Sequence, residues 1–128
     1  MDNLKSIYLT NAGRIARMPY FLFSLGLIVI AVVLTFILAM ILGQFGLLVT
    51  YILLLIPSYN LMAKRLQDFD KPGNWAIGVI ALGILAGFLA LVLPTFSGLV
   101  SLLQLLLMLL ILFVPGTNGE NRYGPQPT

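Results

Sequence analysis

A chain of 128 residues with 60% hydrophobic and only 9% charged residues has too little polar surface to enclose a water-soluble core, since soluble domains carry about 25% charged residues. It contains neither cysteine nor histidine, which excludes disulfides, thiolate nucleophiles, zinc sites built from those residues and Ser-His-Asp relays. Seven basic and four acidic residues give a net charge of +3, and their placement is more informative than their sum.

The N-terminal segment, residues 1–19, carries Lys5, Arg14 and Arg17 ahead of an apolar run, as a secretory signal would. The run from Tyr20 to Leu42 is too long for a signal core of about 7–15 residues and lacks a small-x-small cleavage site, so a retained first crossing is expected. Leu4, Ile7 and Tyr8 fall at i, i+3 and i+4, which predicts a short helix lying in the membrane interface.

Two long stretches contain no charge: residues 18–63, between Arg17 and Lys64, and residues 72–119, between Lys71 and Glu120. A single helix over the first would be about 69 Å long, roughly twice the hydrocarbon core. Each stretch is therefore expected to cross twice, turning at Gly43-Gln44-Phe45-Gly46 and at Pro94-Thr95-Phe96-Ser97-Gly98. The fold class expected is an all-α membrane protein of four transmembrane helices in two hairpins: Tyr20–Leu42, Leu47–Ala63, Trp75–Leu93 and Gly98–Val114. The transmembrane domain then covers 20–114, with a loop at 64–74 and a tail at 115–128. All charges fall in the N-terminal segment, that loop and that tail, which an even number of crossings puts on one side. The positive-inside rule makes that side, with both termini, cytoplasmic. The alternative is three crossings, with the first stretch crossing once.

No ionisable side chain other than tyrosine lies within these spans. Proton relays and ion-coupled transport ordinarily need one, so a small transporter or channel subunit stands as a lesser alternative. Gln104, with Ser101 one turn earlier, is expected to hydrogen-bond between helices. Gly83 and Gly87 are small residues four apart, read as intramolecular packing first and dimerisation second. Tyr20, Trp75 and Tyr123 suit an interfacial aromatic belt. Pro57 is expected to kink the second span beside Ser58, Tyr59 and Asn60.

Three segments on the charged side read together: 13-GRIARMPYF-21, 64-KRLQDFDKPGNW-75 and the tail PGTNGENRYGPQP. Together they resemble domain-of-unknown-function family 805, small bacterial inner-membrane proteins in which a G-R-x-x-R-x-x-Y/F-W entry, an R-R-L-H-D loop ending in S-G-W-W and a P-G-T-x-G-x-N-R-Y-G-P-x-P tail recur in this order. The resemblance covers nearly the whole chain. It picks out Gly13, Arg14, Arg17, Tyr20, Arg65, Leu66, Asp68, Trp75, Gly116, Asn121, Arg122, Tyr123, Gly124 and Pro125. Gln67 stands where the family has histidine, and Pro72 and Asn74 depart from its S-G-W-W segment. The resemblance implies a fold and an inner-membrane location, and no established activity.

Arg14 and Arg17 are three apart, as are Arg65 and Asp68, so each pair shares a face wherever its segment is helical. One expectation is a structural clasp, in which Arg65 and Arg17 pair with Asp68 and Glu120 and the tail folds across the helix ends, aided by Gly13, Trp75, Gly116, Gly124 and Pro125. Such pairs are worth about 1 kcal/mol each near headgroups. A second is recognition of anionic lipid headgroups or phosphate by Arg14, Arg17, Arg65, Asp68, Asn121, Arg122 and Tyr123, because arginine forks suit phosphate. A third is a partner or assembly factor for another membrane protein, or a homo-oligomer, acting through helix packing. Asp68-Phe69-Asp70 has the form of a metal-binding D-x-D, yet the sequence lacks the D-x-x-D-G-x-x-A-R signature of phosphotransferases acting on CDP-alcohols. A non-enzymatic protein is expected, with no cofactor, no metal and no nucleic acid.

Overall fold

The computed structural model describes the backbone of residues 4–127 and the side chains from Ile7 onward. Residues 1–3 of the expected N-terminal segment, the Leu4 side chain and Thr128 at the end of the tail lie outside the described residues. The described residues are all-helical apart from turns and one isolated bridge: α1 (Leu4–Leu9), α2 (Arg17–Leu42), α3 (Gly46–Asp68), α4 (Trp75–Val92) and α5 (Pro94–Phe113).

Chains this apolar form helices because each backbone N–H and C=O then finds its partner within the same segment. Three stretches are long and apolar enough to cross a membrane: Arg17–Asp68, Trp75–Val92 and Pro94–Phe113. The first is folded back on itself by a 3₁₀ turn at Gly43–Phe45. Gly46 makes the reversal possible, since a Cβ there would lie 2.6 Å from the Ala39 backbone nitrogen. The return of α3 along α2 brings Ile15 beside Lys64, with the Ile15 N–H donating to the Lys64 carbonyl at 3.4 Å.

Pro57 sits inside α3 without ending it. The helix also runs on to Asp68, past the Ala63 boundary that charge alone suggested, so the expected loop 64–74 shrinks to residues 69–74. Charge marks the polar end of a helix as readily as its end, and here Lys64, Arg65 and Asp68 are buried with partners. The helix closes in a Schellman arrangement: the Lys71 N–H donates to Leu66 O at 3.0 Å and the Asp70 N–H to Gln67 O at 3.1 Å. Asp70 occupies the left-handed position at φ 64.

The second reversal is tighter than the Pro94–Gly98 turn expected. Only Leu93 links α4 to α5, and Pro94 starts α5 at its first position, where its fixed φ and missing N–H are no handicap. α2 likewise begins at Arg17 rather than Tyr20.

The buried core lies at the charged end, where Ile15, Tyr20, Leu61, Met62, Leu66, Ala76, Val79 and Ile111 meet. α1 packs onto it through Ile7 and Tyr8. The Tyr8 hydroxyl donates to Phe23 O at 3.0 Å and its ring meets Phe23 edge-on at 5.9 Å; burial pushes the phenol above its ordinary pKa. Away from this end the bundle exposes side chains such as Phe36, Met40, Phe88 and Leu91 to its surroundings. So large an apolar surface marks a partner or membrane contact rather than a water-facing one.

Candidate functional site

Asp68 is the hinge of the charged end. It lies in the last turn of α3, one turn after Arg65, and its carboxylate binds two guanidinium groups: Arg65 on one oxygen and Arg14 on the other, the latter at 3.1 Å. The three side chains are at most 4% exposed. Two cations against one anion would be costly to bury unaided. The balance is restored by backbone carbonyls: those at the end of α5, which carry the negative pole of its dipole, for Arg65, and mainly those of the tail for Arg14.

Arg65 shows how. Its Nε donates to Ile111 O at 2.9 Å, Nη1 to Ile15 O at 3.3 Å and to Asp68, and Nη2 to Leu112 O at 3.3 Å and to Val114 O. The guanidinium therefore caps the last turn of α5 from a position on α3. Its face also lies over the Phe69 ring at 5.5 Å.

Arg14 performs the matching task for the tail. It donates from Nε to Asp68, from Nη1 to Gly119 O at 2.7 Å and Gly124 O at 3.1 Å, and from Nη2 to Thr117 O at 2.6 Å and Asp68 O at 3.3 Å. The tail is wrapped around one buried side chain. It is held a second time by its own backbone and Asn121. The Thr117 N–H donates to Asp68 O at 2.7 Å, and Asn121 Nδ2 donates to Gln67 O at 3.0 Å. Asn121 Oδ1 accepts from the Tyr123 N–H at 2.8 Å. Gly116 lies against the Asp68 carboxylate so closely that any Cβ would collide with it. Gly119 and Gly124 adopt φ 75 and 132, conformations that turn their carbonyls toward Arg14 and favour glycine.

A parallel cap lies beneath α1. Asn60 Nδ2 donates to Tyr8 O at 2.8 Å and Lys64 Nζ to Ile7 O at 2.9 Å. The Gln67 amide, oriented so that its nitrogen meets oxygens, donates to Asn11 O and Gly13 O at 3.0 and 2.6 Å. Gln67 thus makes a neutral tie to the strip around Gly13.

Of the residues singled out in the sequence, Arg14, Arg65, Asp68, Gly116, Asn121 and Gly124 converge. Others do not. Arg17 is exposed and donates to Phe113 O at 3.4 Å instead of meeting an acid, and Glu120 is exposed and takes part in no ion pair among the described residues. The expected pairing of Arg17 with Glu120 is not formed, and because α2 starts at Arg17, Arg14 precedes the helix and the two arginines share no helix face. Trp75 lies outside the clasp, 54% exposed, with the Lys71 ammonium 5.9 Å from its ring centroid. Arg122 stacks over Tyr123 at 5.4 Å and pairs at the surface with Asp70 at 3.1 Å. Pro125 borders a recess between the tail and α1 of about 610 Å³, together with Arg14 and Tyr123. The two acids of D-x-D part company, Asp68 turning inward and Asp70 outward, and no metal-ligating cluster occurs among the described residues.

Within the bundle, Gln104 Nε2 donates to Val79 O at 3.1 Å, and Gly83 admits that amide, since a Cβ there would lie 2.6 Å from it. Gly87 has open space around it. The pair therefore splits, one glycine serving the α4–α5 contact and the other facing outward.

The residues that sequence reasoning missed are Thr117 and Lys64, while Asn60, noted in the sequence only for its place beside Pro57, proves to cap α1. Asn60 and Lys64 left a signal, two polar side chains four apart in α3, which places both on one face. The backbone acceptors at Ile111, Leu112 and Val114 left none, because any residue supplies a carbonyl.

Comparison with known proteins adds one positive finding. No curated protein and no solved structure matches the chain. The model of a family described as a protein of unknown function, DUF805, matches residues 8–125, a span that contains Arg14, Arg65, Asp68 and the clasping part of the tail. With nearly its whole length matched, the chain belongs to the DUF805 family.

Proposed function

We propose that this chain is an integral protein of the bacterial inner membrane, crossing it four times with both termini in the cytoplasm. It works without catalysis, through a cytoplasmic surface that engages anionic lipid headgroups. The observation that carries this reading is how the arginines divide. All five N–H donors of Arg14 and of Arg65 are spent on internal carbonyls and Asp68, so neither can fork a phosphate without dismantling the clasp. Arg17, Lys71 and Arg122 remain exposed around it. Each basic residue near the surface gains about 1 kcal/mol against anionic lipid. The clasp is then the scaffold, and its rim is the working surface.

The test is native mass spectrometry of the purified protein with phosphatidylglycerol and phosphatidylcholine supplied equally. Wild type is expected to retain the anionic lipid preferentially, and Arg17→Ala/Lys71→Ala/Arg122→Ala to lose that preference. An unchanged preference in the triple variant would sink the reading. Docking of another membrane protein is a second reading, favoured by the outward-facing Gly87. A specific protein adduct from a photocrosslinker at position 87 in intact membranes is its signature.

A further inference from the structure

A groove of about 500 Å³ runs between α4 and α5 from the level of the clasp into the apolar part of the bundle, lined by residues including Phe69, Trp75, Gly78, Leu82, Leu107 and Val114. From Trp75 to Leu82 it descends about 10 Å along α4. Its walls are almost wholly apolar, and the exposed Lys71 lies beside Trp75, one of its lining residues. Lys71 stands over the Trp75 ring, and none of the ion pairs among the described residues involves it. Nearby Asp70 is already engaged by Arg122. A tryptophan lining an almost wholly apolar groove, with an exposed lysine beside its ring, is complementary to one kind of molecule, an amphiphile with an anionic head and a hydrocarbon tail.

We propose that this groove seats one acyl chain of an anionic phospholipid, with the phosphate held at Lys71. The inference rests on the headgroup reading above and narrows it to one site and one lipid class. Gly78 offers a clean probe, because its Cβ position meets nothing within 4 Å while the residue lines the groove. A leucine there projects into the groove from a position where its Cβ meets no neighbour, and it removes a glycine from a helix interior.

The experiment uses the full-length protein in detergent, with phosphatidylglycerol and phosphatidylcholine at equal concentration, read by native mass spectrometry beside a melting curve. Wild type is expected to favour the anionic lipid by about fivefold, the ratio one interfacial lysine provides. Gly78→Leu is expected to melt as wild type does and to lose most retained lipid of both kinds. Lys71→Ala, a change at an exposed loop residue, is expected to abolish the preference. Retention by Gly78→Leu equal to that of wild type overturns the groove. If the triple surface variant still loses its preference in that case, the headgroup reading survives it. Absence of any preference in wild type overturns both. Loss of a co-purifying protein from Gly78→Leu with lipid retention unchanged would give the groove to a partner's helix and overturn the lipid assignment.

Discussion

Asp68 neutralises one buried guanidinium and shares the other with the carbonyls of the tail, so removing its charge leaves Arg14 and Arg65 buried with dipoles alone. Asp68→Asn keeps the shape and takes away the charge. The expected loss is about 3–5 kcal/mol, the usual effect of deleting one partner of a buried pair, measured by denaturant or thermal unfolding in detergent. Asp70→Asn breaks only the exposed pair with Arg122, where the side chains are 45% and 63% exposed, and is expected to change stability by less than about 1 kcal/mol. Equal effects from the two would show that the inward pair anchors nothing. Arg65→Lys belongs with the damaging changes. An ammonium has three donors on a flexible stem and cannot serve the Ile111, Ile15, Leu112 and Val114 carbonyls together with Asp68.

The elements differ in how openly the sequence announced them. The reversal at Gly43–Phe45 was legible because two glycines bracket it in an uncharged stretch. The end of α3 was not, because a charged run suits a loop as well as a helix end, whereas Arg65 and Asp68 continue the helix and are buried at the clasp. The tail's docking onto GRIAR and RLQD was legible as a grouping of motifs. Its geometry was not, since eight of the acceptors around Arg14 and Arg65 are backbone carbonyls, those of Gly119, Gly124, Thr117, Asp68, Ile111, Ile15, Leu112 and Val114, and side-chain identity does not encode them. The α4–α5 contact offers a sharper element-level test. Gly83→Ala pushes a methyl into the Gln104 amide, which must leave Val79 O. A cost of about 1 kcal/mol is expected, the scale of an interhelical hydrogen bond in an apolar setting. Gly87→Ala meets open space and is expected to be neutral or slightly stabilising through helix propensity. Comparable losses from both would mean that Gly87 is packed against something in the membrane, which favours the partner reading.

At the scale of the whole molecule, the two hairpins are joined most firmly at one end. The core residues and the Arg14–Asp68–Arg65 network all lie there, while farther along the bundle a cleft of about 310 Å³, bordered by Thr35, Tyr51, Ser58 and Gln104 among others, separates α2 and α3 from α4 and α5. Such a molecule has a definite polarity, a polar closed end and an apolar open one. The strips around Arg14, Asp68 and Asn121 are bonded to one another and cannot lie on opposite faces of a bilayer, a condition that the proposed four-crossing topology requires. The chain has no cysteine, so single cysteines report topology directly. Cysteine at exposed Gln44 or Thr95 is expected to react with an impermeant maleimide from the periplasmic side, and cysteine at exposed Asn118 only after the inner membrane is opened. If position 44 were protected in intact spheroplasts and labelled only from within, α2 and α3 would form a hairpin that dips into the membrane without crossing it. The clasp geometry would stand, and the four-crossing topology would fall.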